Sequence, residues 1–214
     1  MSFFANGPTD RGPGRITGNP TNGLCEKVCI QVDKVFDACI RQTQIDGVNL
    51  ALTDLTPANP ELPLTFISAR STSSNATVTN LQVDRLPDRQ RFARVQATLT
   101  VPVEVLYTDA NGVAGSATST MTFTQDVIMY VPEPSIIPFD VIAVVSVVAP
   151  DGVYVDGTTP SFTVSGCVTI IMKVVMTVEL LVPSYGYPLI PQCQEYAQDV
   201  CSGFFDLPIY PGNG

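Results

Sequence analysis

The stretch Val95-Gln-Ala-Thr-Leu-Thr-Val-Pro-Val-Glu-Val-Leu-Tyr107 places Val95, Ala97, Leu99, Val101, Val103, Val105 and Tyr107 on every odd position. Gln96, Thr98, Thr100, Pro102 and Glu104 fill most of the even ones. Successive side chains of a strand point to opposite faces, so a period of two predicts a strand with one face in a core and the other in water. After the turn sequence Asp109-Ala-Asn-Gly112 the alternation resumes. Ala117, Ser119, Met121, Phe123, Gln125, Val127 and Met129 share one face, and Thr118, Thr120, Thr122, Thr124 and Asp126 the other. The pair predicts a long hairpin. Strands of about 13 residues would run roughly 43 Å, where ~5 to 6 residues is usual. Pro102, which has no N–H to give a ladder, predicts an edge or a bulge in the first strand.

Outward from the hairpin, residues 27–56 read as two or three strands with a turn at Asp46-Gly47. Val28, Ile30 and Val32 alternate there against Cys29, Gln31 and Asp33, while a helix through Val32–Arg41 is the competing reading. The choice decides cysteine geometry. In a strand Cys25 and Cys29 share a face but lie about 13 Å apart, beyond bonding reach; helical spacing would bring them close. Residues 131–138, VPEPSIIP, read as a rigid connection and Val141–Val148 as a strand buried on both faces. Asp151-Gly152 and Asp156-Gly157 read as turns. From Val168 to Val182 one apolar face runs unbroken, which requires a central place in the sheet or cover from another subunit.

The predicted fold is all-β: an antiparallel, jelly-roll-like β-sandwich of long strands over residues 25–190. Residues 1–24 carry five glycines, three prolines and no apolar period, and read as a flexible arm, either a frayed terminus or a segment that lies across a neighbouring subunit with Phe3 and Phe4 as anchors. The tail 191–214 reads as a short helix at about Gln192–Val200 followed by Phe204, Phe205, Leu207, Ile209 and Tyr210, expected to form an apolar plug for the protein's own sandwich or for another copy.

The 214 residues include no histidine and no tryptophan, which removes the commonest general base, the commonest metal ligand and every imidazole-dependent triad. Cysteine spacings do not match zinc motifs, and Asp109–Gly112 and Asp151-Gly152 resemble calcium-loop fragments without the closing bidentate acid. No carboxylate pair stands out. The expectation is a chain with no catalytic, cofactor-binding or metal-binding residues, and not an enzyme. A formal charge of −9 argues against nucleic acid and anionic membranes as partners. Arg85, Arg89, Arg91 and Arg94 form the one basic cluster; Asp84 and Asp88 interrupt it, so it reads as a solvated loop with local ion pairs. From residue 95 onward Lys173 is the sole base, a polarity that fits either head-to-tail complementarity between copies or plain solubilising charge.

The N-terminal residues contain no apolar leader core, and the longest apolar runs are too short or are broken by Lys173 and Glu179. Synthesis in the cytosol without a signal peptide or membrane span is therefore expected. Six cysteines, Cys25, Cys29, Cys39, Cys167, Cys193 and Cys201, fit that setting as reduced packing residues. They fit equally as cross-links closed after the producing cell lyses, as in the outer layers of an endospore.

The run Cys25-Glu-Lys-Val-Cys-Ile-Gln-Val-Asp-Lys-Val-Phe-Asp-Ala-Cys39, the strand patterns Val101-Pro-Val-Glu-Val-Leu-Tyr107 and Phe123-Thr-Gln-Asp-Val127, and Cys193-Gln-Glu-Tyr resemble β-rich spore-envelope proteins of clostridia. The middle of the chain is also similar to the repeated β domain of clostridial spore-coat morphogenetic proteins. The resemblance implies a self-assembling structural component of a spore surface, as a coat layer, exosporium or appendage fibre. Its partners would be copies of itself and other spore-envelope proteins. The alternative reading is a non-catalytic β-sandwich module that binds carbohydrate or another coat protein.

Overall fold

The alternation that begins at Val95 becomes the core face of strand β5 (Arg89–Thr108), and its partner becomes β6 (Ala114–Tyr130), in a computed structural model that describes residues 18–188. Around them lie β1 (Glu26–Ala51), β2 (Thr53–Thr56), β3 (Thr65–Ser71), β4 (Asn75–Leu86), β7 (Asp140–Val155) and β8 (Ser161–Ser184). All pairings described are antiparallel, in one sheet of order β1-β8-β7-β3-β5-β6-β2 with β4 also between β5 and β7. The all-β antiparallel fold is thus as expected. Among the described residues no helix is long and apolar enough to cross a membrane. Phe3, Phe4, Cys193, Cys201, the arm up to residue 17 and the expected helix at 192–200 lie outside the described residues.

Contacts group residues 33–178 into one unit and residues 1–32 with 179–214 into another. Within 33–178, β3 and β4 run in line along β5, β5 turns into β6, and residues 131–139 carry the chain back to set β7 beside β3 and β4. A fourth strand returning beside the first of three is a Greek key, the path from which jelly rolls are built. The proline-rich run VPEPSIIP is its return connection.

β5 and β6 stay in continuous register from Phe92↔Tyr130 to Thr108↔Ala114. β5 and β6 have 20 and 17 residues, longer than the alternation alone implied. Every odd residue of β5 from Ala93 to Tyr107 is buried, and with Met121, Met129, Val145, Phe162 and Met172 they make one core. Burying one such Val, Leu or Phe stabilises by roughly 1.5 to 3 kcal/mol. Asp109 closes the hairpin: its Oδ1 accepts from the N–H of Asn111 (2.9 Å) and Val113 (2.8 Å). Its carboxylate thus serves the turn.

Several local expectations are corrected. β5 is an interior strand, and Pro102 faces the break at residues 72–74 between β3 and β4, where its carbonyl accepts from the Thr72 N–H (3.1 Å) and no strand asks for its missing donor. Residues 26–51 form one strand through Asp46-Gly47, with Gly47 at φ 67° in place of a turn, and the helix alternative for Val32–Arg41 falls. β7 alternates: Val141, Ala143, Val145 and Val147 are buried but Ile142 and Val148 are exposed, because only one of its faces meets the core. It runs through Asp151-Gly152, with the register shifted after Val148. The arginine cluster lies mostly at the start of β5. Arg94 pairs with Asp126 and Arg91 with Glu133, while Arg85 donates to the carbonyls of Gln90 and Pro132.

The unit built from the chain ends contains the first turns of β1 and the last of β8, and there the Cys25 N–H donates to the Ser184 carbonyl (3.0 Å). Tyr185 Oη donates to the Pro20 carbonyl. Its described part is a two-stranded ribbon, too little sheet to be stable by itself in water.

Candidate functional site

No cysteine meets another among the described residues. Cys29 on β1 and Cys167 on β8 are exposed thiols, Cys25 is exposed immediately before β1, and Cys39 is half-buried on β1. Cys29 lies on the extended β1 and Cys25 just ahead of it, so of the two alternatives the structure adopts the strand, which keeps the pair apart. Burial, with the Asp37 carboxylate adding to it, pushes the Cys39 thiol pKa up and makes it the less reactive nucleophile. Among the described residues no group of three or more His, Cys, Asp or Glu could hold a metal ion.

Two surfaces expose large apolar side chains among the described residues. The first is the ribbon of the chain ends, where Ile30, Leu180, Leu181, Tyr185 and Tyr187 are exposed beside Cys25 and Cys29. Leu181 keeps 67% of its surface in solvent. The apolar face read from Val168 to Val182 divides accordingly: Val168, Ile170, Met172 and Val174 are core, whereas Leu180 and Leu181 are exposed.

The second surface lies within residues 33–178, where β6 and β1 come side by side without joining. β2 continues β1 after Leu52 and pairs with β6 at Thr53↔Thr118 and Thr56↔Ser116. β1 itself pairs with β8, and side-chain bonds in which Thr177 donates to Asp33, Gln42 to Thr169 and Asn49 to Ser161 mark the antiparallel run. Among the described residues no ladder reaches β6 from the β1 side beyond Thr118. Thr118 and Tyr130 both turn their backbone to that side, since the Thr118 carbonyl accepts from Thr53 Oγ1 and the Tyr130 N–H donates to Asp37 Oδ2 (2.7 Å). Backbone direction alternates along a strand, so Thr120, Thr122, Thr124, Asp126 and Ile128 aim their N–H and C=O groups the same way.

Side chains partly replace the missing strand. Asp37 satisfies Tyr130, and Gln125 Nε2 donates to the Thr124 carbonyl (2.9 Å). Between the strands remains a groove of about 400 Å³, walled by Cys39, Ile40 and Arg41 on β1 and by Gln125, Val127 and Ile128 on β6, and floored by Ile170 and Met172. Ile40 and Ile128 are each 63% exposed.

Of the residues singled out in the sequence, Cys39 alone lines this groove; Cys25 and Cys29 lie on the ribbon and Cys167 on β8 by itself. The groove residues Ile40, Arg41, Gln125 and Ile128 were not foreseen. Their one sequence signal is Gln125, the larger of the two polar side chains, with Ser119, on a mostly apolar odd face. Comparison with protein families, with curated proteins and with solved structures finds no match to this chain.

Proposed function

We propose that this protein is a self-assembling structural protein, in which strand edges and apolar surface of one copy are covered by another. The observation that carries the reading is the exposed apolar ribbon, Ile30, Leu180 and Leu181, set beside two free surface thiols. An open strand edge is a template for another chain, and proteins that stay monomeric blunt such edges with charge, proline or cover. Cys25, Cys29 and Cys167 are then positioned to lock contacts after assembly. Each bond takes one thiol from either copy, two electrons and two protons passing to an oxidant such as dioxygen. The placement on a spore surface, reached from the cytosol when the mother cell lyses, rests on the resemblance of the cysteine segments and strand patterns.

Sedimentation velocity and negative-stain imaging of the full chain, over a concentration series, test the reading. Ordered oligomers that become resistant to denaturant after air oxidation, with intermolecular peptides through Cys25, Cys29 or Cys167, are expected. A chain monomeric at every concentration, with six free thiols, overturns it.

A further inference from the structure

The groove between β1 and β6 deepens that reading, on which it rests: we propose that it accepts residues 204–210 of a second copy, Phe-Phe-Asp-Leu-Pro-Ile-Tyr, as an added strand on the open edge of β6. Strand addition takes affinity from main-chain hydrogen bonds and specificity from pockets for alternate side chains. β6 supplies the first through the outward backbone of Thr124, Asp126 and Ile128, and the apolar floor at Ile170 and Met172 supplies the second.

Three features of the segment match the groove. Phe205, Leu207 and Ile209 alternate, so a strand there turns three large apolar side chains to one face. In a strand running parallel to β6, the residues with inward side chains turn their backbone to β6, so Phe205, Leu207 and Ile209 bond to it while Pro208, which has no N–H, turns away from the ladder. The five residues from Phe205 to Ile209 reach about 17 Å, the span of roughly five residues of β6. Charge is the third match. Arg41 has no ion-pair partner among the described residues, and the groove wall around it carries no carboxylate. Asp206 is the single charge between Phe204 and Tyr210, on the face opposite Leu207 and so toward the solvent side where Arg41 is exposed. An apolar slot with one cation selects an apolar strand with one anion.

The test uses the full chain, prepared unlabelled and with ¹⁵N, mixed in equal amounts, and carrying a photoreactive benzophenone side chain at position 128. Cross-links from position 128 to peptides within 204–210, in mixed-isotope pairs, are the expected result. Leu207→Asp should raise the concentration at which copies associate by at least about tenfold. Asp206→Arg should do the same and be restored by Arg41→Asp in the same chain, with melting temperatures unchanged. Same-isotope pairs alone would show each chain filling its own groove and overturn the proposal. Cross-links elsewhere, or association indifferent to Leu207→Asp, would overturn it while leaving self-assembly in place. A chain that never associates would overturn both.

Discussion

β6 has two edges with opposite fates. Along its β5 side every residue from Ala114 to Tyr130 is in register, and the odd residues of β5 beneath that seam are sealed, Leu99 at 0% exposure. Along its β1 side pairing stops at Thr118, and Phe123 and Val127, on the same inward face as Met121 and Met129, are only half-buried. The inward face is one pattern read from one strand, yet it is dry on one side and leaky on the other. Face burial is set by local alternation; edge burial is set by which strand comes alongside, and the second condition is where interaction capacity is stored.

The largest test of that contrast pairs a substitution at each seam. Leu99→Ala leaves a void under the closed ladder and should cost about 3 kcal/mol of unfolding free energy in a urea titration, within the roughly 2 to 5 typical of buried Leu→Ala. Ile128→Ala at the open seam should stay within about 0.5 kcal/mol, as exposed positions do. Equal costs would erase the distinction between the edges. Next in size is Gly166→Ala. A Cβ there would sit 2.3 Å from the Val148 carbonyl oxygen and 2.6 Å from the Ala149 Cα, backbone atoms of the closed β7–β8 seam that cannot swing aside. A loss of about 2 kcal/mol, in the overpacking range, is expected in the same titration. A neutral result would mean that seam yields more than a closed ladder should.

The long strands of the middle of the chain were legible because alternation over a whole segment is a face pattern, and β5, β6 and the first half of β8 obey it. β3 and β4 were not legible. Residues 65–86 are largely exposed and mix Thr, Ser, Asn and charge, so their strand state comes from being held between β5 and β7. Asp46-Gly47 and Asp151-Gly152 misled for a related reason: a turn-forming pair bends the chain only where no neighbour enforces extension. Pro102 read as an edge or a bulge, but β5 is interior and in continuous register there, and the proline faces the break between β3 and β4. For the cysteines the sequence left strand or helix and thiol or disulfide open, and the extended β1 decides the first of these. The groove was not, because an unpaired edge is an absence that only the sheet order reveals.

A reversed sign is expected at the sealed end of the hairpin. Tyr107 is wholly buried, and its Oη has no hydrogen-bond partner among the described residues. Burial, with Asp109 adding to it, raises its pKa, so the phenol stays neutral. An unpaired buried hydroxyl is a desolvation cost without return, and Tyr107→Phe should raise stability by about 1 kcal/mol in thermal melts. A loss instead would reveal a partner for that oxygen.

The smallest effect is electrostatic and lies across the sealed seam from the open edge. Arg94 Nε donates to Asp126 Oδ1 (2.8 Å), a diagonal pair, since Arg94 is opposite Ile128 and Asp126 opposite Gln96. The hydrogen bond from Arg94, then its charge, holds the Asp126 carboxyl below the usual range. A depressed carboxyl pKa stabilises the fold above the unfolded value of about 3.9, and the contribution is lost as pH falls through the folded value. Wild type and Asp126→Asn should therefore differ in urea midpoint at pH 6 and converge as the pH falls through the folded-state value. The pair is solvent-exposed, so 1 M salt should close most of the gap at pH 6. If the two midpoints coincide at every pH, the pair contributes nothing, and the seam between β5 and β6 is closed by its ladder and core face alone.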